Sequence, residues 1–146
     1  MFARLSRTAL PFLLAIALAA CQSMAPAPQK SLYDRLGGQP AITAVVDDFV
    51  ANVAADNRIN GFFARTDIPR LKRLLVEQIC NATGGPCTYT GRSMPEAHRG
   101  MHITDAQFGA LVEDLQKSLN KFKVPDNEQR DLLPVLGSLK PQIVGQ

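Results

Sequence analysis

The sequence predicts an all-α domain. Three observations carry this expectation. Apolar residues recur at steps of three and four through four separate stretches, the spacing that gives a helix one buried face. Helix-start residues (Ser31, Asp67, Thr104 and Asp126) stand ahead of them. No segment of useful length alternates apolar and polar residues as a half-buried strand does, and no internal repeat is present.

The first thirty residues read as processing and tethering rather than fold. Met1–Arg7 is a basic start, and Thr8–Ala20 is an apolar run of thirteen residues. A bilayer takes about twenty apolar residues, so the run has the size of a signal-peptide core instead. It ends in Leu18-Ala19-Ala20-Cys21, which looks like a bacterial lipobox. That resemblance implies cleavage before Cys21 and lipid on its thiol and new amino end. The alternative is an ordinary signal peptide followed by a chance cysteine. Residues 1–20 are thus read as a lipoprotein signal peptide, and 21–30 as the lipidated cysteine and a flexible, proline-bearing tether. Gln22 carries no retention signal, so a periplasm-facing domain at the outer membrane is expected. Residues 31–146 remain, enough to bury a single core. Loss of Arg4 and Arg7 leaves 14 basic residues against 13 acidic ones. No basic block or aromatic platform argues for a nucleic-acid partner.

Ser31 is a candidate cap for a short helix through Leu32, Tyr33 and Leu36, ended by Gly37-Gly38. Pro40 suits the first turn of the next helix, which runs to Ala55 with Ile42, Val45, Val46, Phe49 and Val53 on its buried face. Phe62-Phe63 is a bulky pair on a connection and is expected to point inward. A helix from Ile68 to about Ala82 follows Asp67. Its face is Ile68, Leu71, Leu75, Val76 and Ile79, with Arg70, Lys72, Arg73 and Glu77 on the solvated flank. Gln78 borders that face, as a rim residue or as a polar side chain looking inward; the rim is the favoured reading. Residues 83–92 hold three glycines and a proline and should be irregular. At most two helical turns follow over Met94–Gly100. Thr104 and Gln107 form a capping box for a helix whose buried stripe is Phe108, Leu111, Val112, Leu115, Leu119 and Phe122. Asp126 is read as the cap of the last helix, and Pro134 should kink or divide it.

Function concentrates in Thr88–Phe108. This stretch holds both histidines, His98 and His102, among Tyr89, Met94, Met101, Ile103 and Phe108. Imidazole in an apolar setting suggests an axial ligand, since neutral His is a common metal ligand and one of the few that hold haem iron. A surface histidine on a loop is the bland alternative. If Cys21 carries lipid, Cys80 and Cys87 remain as an even pair. A disulfide is favoured in an oxidising compartment. Two free thiols, or two ligands of a zinc site with His98 and His102, are the other readings. No phosphate loop and no Ser/His/Asp or Cys/His nucleophile pattern is present.

Taken in order, several motifs resemble the group 1 truncated haemoglobins. They are Leu32-Tyr33-Asp34-Arg35-Leu36-Gly37-Gly38, Val45-Val46-Asp47-Asp48-Phe49, Phe62-Phe63, Leu71-Lys72, Gly84-Gly85-Pro86 with Tyr89-Thr90-Gly91, and Met94 through Ala97-His98-Arg99-Gly100-Met101 to Ile103-Thr104 and Phe108. The resemblance covers 31–146 and implies a truncated globin, a two-on-two helical sandwich around haem b. It puts His98 at the proximal iron ligand and Phe63 against the haem, with Phe49 and Phe62 beside it. Tyr89, Met94, Met101, Ile103 and Phe108 fall on pocket positions, and Thr66 and Arg70 near the propionates. His102 falls at the rim.

One departure bears on function. The family usually has a distal tyrosine where this chain has Val50, and often a glutamine where it has Leu71 or Leu75. The polar cluster that would hold dioxygen by hydrogen bonds is missing at all three, and Gln78 could replace it only by swinging inward. Fast dioxygen release, easier autoxidation and little discrimination against carbon monoxide are expected. The resemblance implies reversible binding of dioxygen, nitric oxide or carbon monoxide. Its alternative is nitric oxide dioxygenase-type detoxification served by an external reductase. The apolar distal side and the exported location weigh against that alternative.

Overall fold

A computed structural model describes residues 29–146. The signal peptide, Cys21 and most of the tether lie outside the described residues. Six α-helices and two 3-10 turns follow one another: α1 (Leu32–Arg35), α2 (Gly38–Ala55), a 3-10 turn over Asn60–Phe63, α3 (Ile68–Ala82), α4 (Met94–His98), α5 (Asp105–Lys121), α6 (Asp126–Gly137) and a 3-10 turn over Lys140–Gln142. Among the described residues there is no strand.

Local chemistry sets most of these boundaries. The Ser31 hydroxyl accepts from the Asp34 amide, and Asp67 accepts from the Arg70 amide, each satisfying an orphan donor of a first turn. Both halves of the Thr104–Gln107 capping box are formed. The corner between α1 and α2 turns on Gly37 at φ 92°, where an added Cβ would meet the Ala41 side chain at 2.9 Å. That corner lets α2 begin at Gly38, two residues before Pro40.

Helix α2 lies against both α3 and α5, and α3 also touches α6. Val46, Cys80 and Leu119 are fully buried, and Phe49, Val53, Ile79, Leu115 and Leu132 complete the centre. A second strand of support is polar. Ser118 donates to Asp48, and Asn52 donates to Ser118, across the α2–α5 seam.

Two expectations fail and one fails in part. Phe122 is 44% exposed rather than part of the α5 stripe. It lies one residue past the helix end, where the chain reverses through Lys123 at φ 55°, so its ring leaves the face its register would give it. Asp126 is the first helical residue, and Pro125 occupies the cap with no side-chain bond; the carboxylate acts on the helix dipole instead. Pro134 does not divide α6, which is continuous over Asp126–Gly137. Its missing N–H leaves the Arg130 carbonyl without a helical partner at a place where both residues are exposed.

Candidate functional site

Cys80 and Cys87 form a disulfide with a Cα–Cα separation of 5.7 Å. It staples the end of α3 to the irregular loop that leads to α4. Gly85 passes so close that an added Cβ would lie 2.6 Å from the Tyr33 ring and 2.7 Å from Cys80 Sγ. Further along, Glu77 accepts from the Thr90 amide at 3.1 Å and its hydroxyl at 2.7 Å, and Asn81 donates to the Cys87 carbonyl at 3.0 Å. The loop is thus laced to α3 before it delivers α4. That short helix starts with a Ser93–Glu96 capping box and places His98 at its last position. Its extent is one turn, because Arg99 leaves helical geometry.

Between α2 and α3 on one side and α4, α5 and α6 on the other lies a cavity of about 610 Å³. Every pocket residue expected from the sequence lines it: Phe49, Val50, Phe62, Phe63, Thr66, Arg70, Leu71, Leu75, Gln78, Tyr89, Met94, His98, Met101, Ile103 and Phe108. Phe62 and Phe63 do point inward. Leu111, Leu115, Leu133, Leu136 and Ile143 add to the apolar wall. His102 is exposed, does not line the cavity, and carries a left-handed φ of 49° while its amide bonds the Gln146 carbonyl.

Polar groups gather at the mouth. Arg65, Thr66, Asp67 and Arg70 surround the start of α3, and Tyr89 and Arg92 come from the loop. The Tyr89 hydroxyl donates to the Arg92 carbonyl at 2.9 Å, and burial pushes its phenol above the ordinary range. None of the three guanidiniums is in an ion pair among the described residues. Against the single Asp67 carboxylate they leave a surplus of two positive charges. Deeper in, His98 Nδ1–H donates to the Met94 carbonyl at 2.8 Å, which leaves Nε2 as the acceptor nitrogen. Gln78 Nε2 donates to Met94 Sδ at 3.4 Å, so Gln78 is a lining residue whose amide points to α4, and not a rim residue. Gln107, also at the wall, spends its amide oxygen on the Thr104 cap.

The zinc arrangement does not form. Cys80 and Cys87 are bonded to each other, and among the described residues no group of three or more His, Cys, Asp or Glu converges.

The Bacterial-like globin family matches residues 31–144. A group 1 truncated haemoglobin from Mycolicibacterium paratuberculosis is 39% identical over 113 residues, 77% of this chain and 83% of the relative. The chain belongs to the group 1 truncated haemoglobins. The truncated haemoglobin of Tetrahymena pyriformis in its Fe(III) form superposes with a TM-score of 0.77 at 31% identity, covering 80% of this chain and all of the other. The 2/2 haemoglobin of Synechococcus sp., solved in the cyanomet state with covalently attached haem, gives 0.72 at 32% identity, over 77% and 95% of the two chains. The fold is therefore the two-on-two globin sandwich, and haem b is the cofactor.

The residues fit that group. A flat apolar macrocycle matches the wall of Phe, Leu, Met and Ile side chains, and two propionates match the surplus of two arginine charges at the mouth. One imidazole with its Nδ1–H already engaged offers Nε2 to a metal. Arg65 and Arg92 were not legible as site residues. Their signal was weak: cations flanking Thr66 and the glycine-rich loop, indistinguishable in sequence from a solvated surface.

Proposed function

We propose that this globin binds a diatomic gas reversibly, with His98 as its single protein ligand to haem iron. Haem held by His98 would supply an iron centre able to bind a diatomic gas. The observation that carries the reading is the composition of the α2 and α3 walls. Apart from Arg70 at the mouth, they give the cavity Phe49, Val50, Val53, Ala54, Ile68, Leu71, Leu74, Leu75, Gln78 and Ile79. The one amide among them, that of Gln78, directs an N–H to Met94 Sδ. Val50, Leu71 and Leu75 themselves offer the gas no hydrogen-bond donor, which favours carbon monoxide and nitric oxide relative to dioxygen. A hydrogen bond to a partly charged ligand is worth about 1.5–3 kcal/mol, so its lack makes dioxygen short-lived at the site.

The site works at the cell envelope in this proposal, tethered through lipid on Cys21, as the Leu18-Ala19-Ala20-Cys21 sequence supports. The Cys80–Cys87 disulfide suits an oxidising compartment.

Absorption spectra of the haem-loaded chain test the reading. Reduction followed by carbon monoxide should shift a single sharp Soret band, and His98→Ala should remove haem binding while His102→Ala leaves it intact. Haem retained unchanged by His98→Ala would overturn the assignment. Catalytic nitrate formation from nitric oxide with an electron donor would instead assign a dioxygenase supplied by a reductase.

A further inference from the structure

The helix that carries His98 is five residues long, too short to hold its place by its own hydrogen bonds. Its anchors therefore decide where the imidazole points. The Ser93–Glu96 capping box is internal to it. The disulfide, Asn81 and Glu77 all act upstream, on Cys87 and Thr90. Downstream, the Met101 amide bonds the His98 carbonyl from the following loop; among the described residues, one hydrogen bond reaches α4 from another helix, Gln78 Nε2 to Met94 Sδ. Met94 is also the residue whose carbonyl receives His98 Nδ1–H.

We propose that Gln78 is a positioning residue for His98, acting through Met94. The proposal rests on His98 being the iron ligand. Gln78 is half-buried on α3, a fifteen-residue helix anchored in the core by Val76, Ile79 and Cys80. It transmits that rigidity to the first residue of α4. With the Met94 side chain held, its carbonyl stays aligned with Nδ1–H. That bond fixes the tautomer and ring plane and raises the basicity of Nε2. A thioether is a weak acceptor, so the tie is a modest one, and its effect is read best in the metal–imidazole bond rather than in stability. An apolar residue at position 78 would pack equally well but leave Met94 free to turn.

The test uses the haem-loaded full chain and its ferrous, ligand-free resonance Raman spectrum. Gln78→Leu and Met94→Leu should each move the iron–imidazole stretch to lower frequency by similar amounts. The double variant should move it no further, since both changes cut one contact. Haem loss should quicken about two- to tenfold, below the 10–100-fold typical of direct outer-shell partners of a metal ligand. Glu77→Gln, which loosens the loop at Thr90 but not Met94, should leave the stretch in place. An unchanged band in Gln78→Leu, additive shifts in the double variant, or an equal shift in Glu77→Gln would overturn the proposal. If Gln78→Leu fails to fold, Met94→Leu alone decides, and an unmoved band refutes it. An iron–imidazole band that survives His98→Ala would refute the ligand assignment instead, a separate outcome.

Discussion

Replacing Leu75 with glutamine adds a hydrogen-bond donor to the apolar stretch formed by Val50, Leu71 and Leu75 at almost constant volume. Leu75 is half-buried, lines the cavity and sits one turn after Leu71 on α3. Glutamine has nearly the helix propensity of leucine, so the helix should hold. Its amide would face a side of the cavity where Val50 and Leu71 offer nothing. Dioxygen draws electron density from haem and becomes a good acceptor, whereas carbon monoxide does so weakly. A hydrogen bond to such a ligand contributes about 1.5–3 kcal/mol, or roughly 10- to 150-fold in dissociation rate. Stopped-flow displacement should show dioxygen release from Leu75→Gln slowed by that factor, with autoxidation slowed alongside. Carbon monoxide release should change by less than about threefold, within the scatter expected for a change that adds no matched partner. If both gases slow equally, the substitution has narrowed the exit and not supplied a donor. If neither slows, residue 75 does not face the gas. Either result refutes the reading of the wall.

Other expectations follow from the same structure. Replacing Cys80 and Cys87 together by serine opens a loop with a sequence separation of 7. It should cost about 2–3 kcal/mol by the chain-entropy account, read as a lower urea midpoint of the haem-free chain. The Asn81 and Glu77 contacts should keep the loop native in the variant. Gly85→Ala pushes a methyl into the Tyr33 ring and Cys80 Sγ and should destabilise by about 1–3 kcal/mol; a neutral effect in thermal melts would show that the loop moves aside freely. Acid should unfold the chain through its paired carboxylates. Arg58 holds Asp56 down to about 2, and Thr90 and then Arg73 lower Glu77. Folded-state values below the unfolded ones mean that the unfolded chain binds more protons in acid. Their stabilisation is therefore complete above the ordinary carboxylate range and is lost as pH falls from about 4 towards 2. Asp56→Asn should flatten the pH dependence of the melting temperature in that interval, and an unaltered slope would count against the pairing.

How much of this was readable in the chain depends on the range of the physics involved. Helix caps act over three residues, so Ser31, Asp67 and the Thr104–Gln107 box could be read directly. Apolar spacing acts over one or two turns, so the buried faces of α2 and α3 followed from it. A family-wide order of short motifs extended that reading to the whole pocket, His98 included. Expectations failed where a boundary residue's surroundings decided the outcome. Phe122 keeps perfect helical register with Leu115 and Leu119, yet the chain turns at Lys123 and carries the ring outward.

The sequence alone carried a helical chain, two histidines in one apolar stretch and, through its family motifs, a globin with no donor at Val50, Leu71 or Leu75. The helices follow from near-neighbour spacing; the globin reading and the distal positions follow from the resemblance of several short motifs, in order, to a known family. Only the tertiary structure decided that Arg65 and Arg92 line the same cavity as Arg70 and Asp67, leaving two surplus positive charges among its lining residues. It alone decided the direction of Gln78, whose amide turns to Met94 because α4 is brought against α3 by the loop between them. Electrostatic balance and hydrogen-bond partners depend on segments far apart in sequence meeting in space, and no local pattern encodes where they meet.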